Sequence, residues 1–308
     1  MKIKYILFVS ILLFPLVGKA QQDALFSQYM FNKLVINPGY AGTRGALSAV
    51  IVGRYQWVNL DGSPKTASVS VHSPLRNEKM GVGLYIYNDL LGPLQDAGFI
   101  GNYAYRVQVG DGLMSFGLQF GLRYNHIDWT KVNFYDSHDF VYDASTRKEI
   151  QPDVNFGIYY YTDNYYVGLS SKHLLEKQFS VIEVDGESLY ATFLRHFYGM
   201  AGVAIPLGDE KLIFKPSTLV KYVKNAPLQV DINASLLINQ TFWLGISYRT
   251  ERAAVFIAEM NINSKLRIGY SYDWYLNELQ NHNMGSHEIM IGYDFMVRNT
   301  RIRTPRYF

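Results

Sequence analysis

Residues 114–125 read M-S-F-G-L-Q-F-G-L-R-Y-N and separate into two sets when taken alternately. Met114, Phe116, Leu118, Phe120, Leu122 and Tyr124 are apolar and aromatic-tipped, whereas Ser115, Gly117, Gln119, Gly121, Arg123 and Asn125 are small or polar. A period of two sends successive side chains to opposite faces of a β-strand, and at ~3.3 Å per residue the run crosses a hydrocarbon core even when tilted. A sandwich in water would carry Lys, Glu and Thr on its outer face. Here the apolar set suits lipid and the polar set suits a wet lumen.

The alternation recurs from Ala46 onward, giving candidate strands at 46–57, 65–72, 81–87, 98–107, 113–125, 154–161, 165–171, 195–205, 212–222, 229–238, 242–249, 254–262, 265–274 and 288–297. That is about fourteen, an even number as single-chain bacterial barrels require. With the first strand running upward, the inner turns are 73–80, 108–112, 162–164, 206–211, 239–241 and 263–264, all short. The three longest gaps, 126–153, 172–194 and 275–287, then share the other side. The pattern predicts an all-β, transmembrane antiparallel β-barrel over 46–298, with long loops outside and both chain ends in the periplasm.

The flanking segments differ. Residues 1–20 form a predicted signal peptide: Lys2 and Lys4, an apolar stretch over 6–17 too short to span a bilayer, and a small residue at Ala20, so that cleavage would leave Gln21 first. Residues 21–45 place Leu25, Phe26, Tyr29, Met30 and Leu34 at helical spacing with Asp23 as a possible cap, until Asn37-Pro38-Gly39 breaks the pattern. This segment reads either as a periplasmic lead-in that caps the barrel base or as a docking or plug element, with Phe26, Tyr29, Asn37, Pro38 and Tyr40 as its contact residues. From Arg298 the chain ends in a basic tail with four Arg and no acid, in which Arg301, Arg303 and Arg306 are candidate partner contacts. The loop after residue 125 carries Trp129, Phe134, Tyr135, Phe140 and Tyr142, more aromatic surface than a solvated loop needs, which points to partner binding.

Composition narrows the class. The chain has no Cys, which excludes a lipid-attached N-terminus and a disulfide scaffold, and after the leader no apolar run is long enough for a transmembrane helix. Only a closed barrel would then satisfy every backbone group in lipid. Tyr, with 25 copies, outnumbers Phe and Trp, as suits a membrane-water boundary, and a net charge of +3 is too small to imply nucleic acid.

Reactive constellations are sparse. Ser286-His287-Glu288 joins a possible nucleophile and base, but neighbours on a strand face opposite ways, so no catalytic residue is assigned. The seven His show no close pair at ligand spacing, so neither a metal site nor a cofactor is expected. Gly81-Val82-Gly83 is too short for a dinucleotide fingerprint. Arg54, Arg123, Lys215, Lys221, Asp231, Arg249, Arg267, Asp273 and Asp294 fall mostly on the polar face, where opposite charges would brace the wall; a ligand-binding or selective lumen is the alternative.

Asp23-Ala24-Leu25-Phe26-Ser27-Gln28-Tyr29-Met30 and Asn37-Pro38-Gly39-Tyr40-Ala41-Gly42 together resemble the mature N-terminus of the PorP/SprF family of type IX secretion-associated outer-membrane proteins of Bacteroidota. Asp61-Gly62-Ser63-Pro64-Lys65-Thr66, Gly81-Val82-Gly83-Leu84, Gly269-Tyr270-Ser271-Tyr272-Asp273 and Gly285-Ser286-His287-Glu288 are similar to further stretches of that family. Gly39 departs from it, standing where Ala is more usual. The resemblance implies an outer-membrane barrel that anchors or receives secreted surface adhesins bearing a type IX C-terminal secretion domain, of the gliding-motility kind. It also implies contacts with periplasmic or outer-membrane type IX components and with membrane lipid. A general diffusion porin or solute channel is the alternative, and a barrel hydrolase a third reading that the missing triad disfavours.

Overall fold

The computed structural model describes residues 23–132, 147–184, 187–208, 211–250 and 252–297. Fourteen strands close into one antiparallel barrel. Its first half comprises β1 (Ala46–Tyr55), β2 (Lys65–Pro74), β3 (Met80–Leu91), β4 (Leu94–Val109), β5 (Gly112–Ile127), β6 (Arg147–Tyr161) and β7 (Tyr165–Lys172). A separate hairpin, β8 (Gln178–Val184) with β9 (Glu187–Thr192), interrupts the wall. The second half follows as β10 (His196–Val203), the short β11 (Ile205–Leu207) paired only to its neighbour, β12 (Leu212–Val223), β13 (Gln229–Ile238), β14 (Phe242–Arg249), β15 (Ala253–Asn261), β16 (Leu266–Tyr275) and β17 (Ser286–Val297). β1 pairs with β17 from Ala46↔Val297 to Tyr55↔His287, which closes the wall and leaves no free edge.

The two faces divide as the alternation requires. On β5, Phe116, Leu118, Phe120 and Leu122 are exposed on the outside, while Ser115, Gln119, Arg123 and Asn125 are buried inside. Exposed Tyr55, Tyr222, Tyr248 and Trp274 lie near one end of their strands, and Tyr105, Tyr165 and Phe242 near the other. Ile51, Ile86, Leu118 and Ile232 occupy the exposed band between them. Two aromatic belts around an aliphatic waist are what a bilayer with two wet interfaces selects.

Connections 128–146, 173–195 and 276–285 share one rim, and 75–79, 110–111, 162–164, 239–241 and 262–265 the other. Three strand limits depart from the periodicity. β3 and β4 run past the expected loop at 88–97 and turn at Gly92-Pro93, because the polar residues there pair with one another: Tyr87 donates its hydroxyl to Asp96, and Gln95 donates its amide to Asn88 at 2.7 Å. β6 starts at Arg147 rather than 154, with Pro152 opposite Leu122 on β5. Pro there gives up one ladder donor, which made the stretch read as loop.

Residues 23–45 run inside the barrel. Their ends mark opposite rims: Asp23 meets Lys172 and His173 at the long-loop rim, while Arg44 meets Asp294 near the start of β1. Of the two readings of the segment, its burial inside the barrel fits the plug rather than a lead-in under the barrel base, and the described chain does not begin and end on the same side. The spacing of Leu25 to Leu34 also yields no amphipathic helix, only isolated single 3-10 turns at Tyr29–Phe31 and Lys33–Val35. Every residue from Ser27 to Thr43 is buried, so the segment has no solvent face for a helical period to mark.

Candidate functional site

The lumen is where the sequence motifs meet. Ser27 and Gln28 both turn their backbone N–H groups onto the Glu288 carboxylate, at 2.9 and 2.8 Å. Ser27 donates its hydroxyl to Asp273 at 2.7 Å. Arg54 donates to Asp273 at 2.7 Å and to Ser27 Oγ at 2.8 Å, and Arg249 bridges Asp231 at 2.9 Å and Asp273 at 3.1 Å. Two guanidiniums and three carboxylates are thus paired around two plug residues in a site closed to solvent. Buried charge persists only when paired and hydrogen-bonded in this way.

Farther along, Asn37 works as a clip. Its side-chain oxygen accepts from Gly39 N at 2.8 Å and caps the Pro38–Tyr40 turn, while its amide donates to the Ile158 carbonyl on β6 and the Leu169 carbonyl on β7 at 2.9 and 3.1 Å. Tyr40 meets His72 and Tyr159 edge-on. The backbone lies so close to the wall that a Cβ at Gly117 would overlap Gly39 N and Pro38, and one at Gly81 would overlap the Ala41 carbonyl. Gly42 donates to His72 Nδ1 at 3.0 Å and accepts from Arg106 at 2.6 Å.

A second polar cluster holds the leading end. Asp23 accepts from Lys172 at 2.8 Å and lies 2.7 Å from His173 Nε2, whose Nδ1 is 3.0 Å from Asp153. Arg123 donates Nε–H to Asp96 at 2.8 Å beside them. Burial opposes the charged form of Asp23, yet Lys172 and then His173 hold its carboxyl well below the usual range. Burial likewise pulls the His173 imidazole down, but Asp23 and Asp153 outweigh it and raise the group above its ordinary value.

A family profile described as Type IX secretion system membrane protein PorP/SprF matches residues 18–293, which takes in both the plug and nearly the whole wall. The chain belongs to the PorP/SprF family. No curated protein matches it significantly. Among solved structures, this PorP/SprF protein is similar to the CymD monoaromatic hydrocarbon channel, with a TM-score of 0.50 at 10% identity over 91% of this chain and 96% of that one. It is also similar to the outer-membrane protein Omp33 of Acinetobacter baumannii, with a TM-score of 0.47 at 7% identity, covering 82% of this chain and 100% of the other. At such identity the CymD likeness supports the barrel fold alone, and with the family it makes this an outer-membrane component of type IX secretion.

The residues singled out from the sequence fall in different places. Tyr29, Asn37, Pro38 and Tyr40 are buried in the lumen and dock against this chain's own wall, and Phe26, half-buried, packs on the same core. While the plug is seated, Tyr29, Asn37, Pro38 and Tyr40 therefore contact this chain's own wall rather than solvent. Trp129 is half-buried against Ile127 and Phe193. Phe134, Tyr135, Phe140 and Tyr142, and Arg301, Arg303 and Arg306 in the tail, lie outside the described residues. The lumenal charges Arg54, Arg123, Lys215, Lys221, Asp231, Arg249, Arg267, Asp273 and Asp294 all face inward and are buried. Arg54, Arg123, Arg249 and Arg267 pair with carboxylates, the wall-bracing arrangement expected of them.

Ser286 Oγ accepts from Trp57 N inside, His287 meets the Tyr270 hydroxyl outside, and Glu288 serves the plug. Sequence reasoning missed the joint role of Ser27, Gln28, Asp273 and Glu288. The available signal was a pair of acids on polar strand faces within motifs near the C-terminus, together with a Ser-Gln pair ahead of the first strand.

Proposed function

We propose that this PorP/SprF barrel is a plugged, non-enzymatic platform of the type IX machine that anchors or receives secreted surface adhesins bearing a C-terminal secretion domain, as in gliding motility. Long-loop connections face the cell exterior and hold cargo; the short-turn rim and the tail after residue 297 face periplasmic components. The carrying observation is the plug itself: Ser27 to Thr43 are buried along the lumen and tied to the wall by hydrogen bonds to buried carboxylates and to strand carbonyls. A general diffusion porin depends on a wet path through the barrel, and a segment so fixed works against one. The same wall without a plug would suit a channel, so plug removal separates the two readings.

Two measurements test this. In planar bilayers the intact protein should show little or no conductance, whereas deletion of residues 23–43 should open steady channels. Affinity purification from native membranes should recover a secreted adhesin or type IX components. Strong basal conductance by the intact protein together with no co-purifying chain would favour the porin.

A further inference from the structure

We propose that Asp23, His173 and His196 form a divalent-cation site that staples the leading end of the plug to the barrel wall. One donor atom from each lies within 4.8 Å of the others. The three come from distant parts of the chain: Asp23 opens the plug, His173 follows β7 and His196 begins β10.

Two features point to a ligand rather than to packing alone. His196 is fully buried, and its Nδ1 lies 2.8 Å from the Leu194 carbonyl, so that nitrogen must carry the proton. Its Nε2 is then a bare lone pair, and among the described residues it has no hydrogen-bond partner. A buried acceptor left without a donor carries a desolvation cost, which a Lewis acid would remove. The second feature is the support behind His173: Nδ1 faces Asp153 at 3.0 Å and Nε2 faces Asp23 at 2.7 Å. A carboxylate behind one ring nitrogen and a metal on the other is how metal-binding imidazoles are oriented.

The donor set selects the ion. Two imidazoles and one carboxylate, with no thiolate in the chain, suit Zn²⁺ and its neighbours Co²⁺ and Ni²⁺ better than the all-oxygen preferences of Ca²⁺ or Mg²⁺. Charge around the cluster permits it. Lys172 and Arg123 stand close and Lys221 acts on His196, and the carboxylates Asp23, Asp96 and Asp153 match these cations in number. Because one ligand is on the plug and two are on the wall, the complete site exists only while the plug is seated. A bound ion would therefore stabilise the closed lumen and its loss would loosen the plug.

The test is a Co²⁺ titration of the full mature chain, refolded without a His tag, followed by calorimetry and by visible absorption. We expect one equivalent bound with four-coordinate d–d bands, displaced by Zn²⁺. His196→Gln and Asp23→Asn should abolish the bands, Asp153→Asn should weaken binding roughly 10- to 100-fold, and His282→Gln, at an exposed position, should change nothing. Heat-modifiable gel mobility shows in each case that the barrel is intact. No saturable binding by a folded barrel, or binding that survives His196→Gln, would overturn the proposal and leave His173 as an imidazole shared by two carboxylates. The readout involves no secretion, so its failure leaves the proposed function standing.

Discussion

Ser27 donates its hydroxyl to Asp273 at 2.7 Å across 246 positions of sequence, joining the segment ahead of the first strand to the second-last strand of the barrel. Asp273 is fully buried and also receives Arg54 and Arg249. Removing one charge from such a cluster leaves the others uncompensated, at a cost of about 3–5 kcal/mol. Asp273→Asn should therefore release the plug while the outer face, and hence insertion, is preserved. Planar-bilayer recordings should show channel openings that the parent lacks; a silent variant in normal amount would mean the plug is held elsewhere.

Close approach makes a second prediction. A Cβ at Gly117 meets plug backbone, whereas a Cβ at Gly53 meets nothing within 4 Å. Gly117→Ala should destabilise the seated plug, read as lower thermal stability and raised conductance, and Gly53→Ala should match the parent in both. Equal behaviour of the two would show that the plug can shift off the wall without loss.

The lipid face tolerates charge poorly. Leu118 is 49% exposed on the outer wall, where Arg near mid-bilayer costs on the order of 2–4 kcal/mol. Leu118→Arg should lower the amount of assembled barrel in the outer membrane. Gln119→Arg acts differently, because Gln119 faces inward, donates to the Leu34 carbonyl at 3.2 Å and accepts from Asn155 at 3.0 Å. That variant should assemble and leak. Quantitative immunoblots of membrane fractions beside conductance distinguish the two failures.

Topology predicts a pattern of tags. Epitopes inserted in 128–146 or 173–195 should be reached by antibody on intact cells. Since Asp23 sits at that same rim, an epitope placed just before it should be reached there too. Labelling that needs permeabilised cells at all three sites would invert the barrel.

The tail supplies the last test. Ending the chain at residue 298 removes no wall strand, so the shortened protein should insert normally. Loss of periplasmic partners and of secretion, measured by co-purification and by surface adhesin, would assign Arg301, Arg303 and Arg306 a docking role. Unimpaired secretion would remove it.

What the sequence displayed and what it concealed have a common physical origin. The wall was legible because each strand has lipid on one side and polar lumen on the other, so Leu118 and Gln119 had to differ. The plug was only one of two readings left open for residues 21–45, because Ser27 to Thr43 are enclosed by protein and the helix-like spacing of Leu25 to Leu34 encodes no face. Strand ends blurred where polar residues find partners across a hairpin, as Asn88 does in Gln95 and Asp96 in Tyr87. The cluster of Asp23, His173 and His196 was invisible for a different reason: barrel closure, not local spacing, brings these residues together.

The order of the chain gives the plug lock a temporal meaning. Ser27 and Gln28 leave the ribosome before any wall strand, yet their partners Asp273 and Glu288 belong to the final two. Arg54 on β1 reaches those same carboxylates from across the seam with β17. Sealing the wall and locking the plug therefore draw on one set of charges and complete together. A chain stalled short of its last strand would have neither, so premature termination yields a species that cannot pass as finished, an inspection step built into the geometry of the seam.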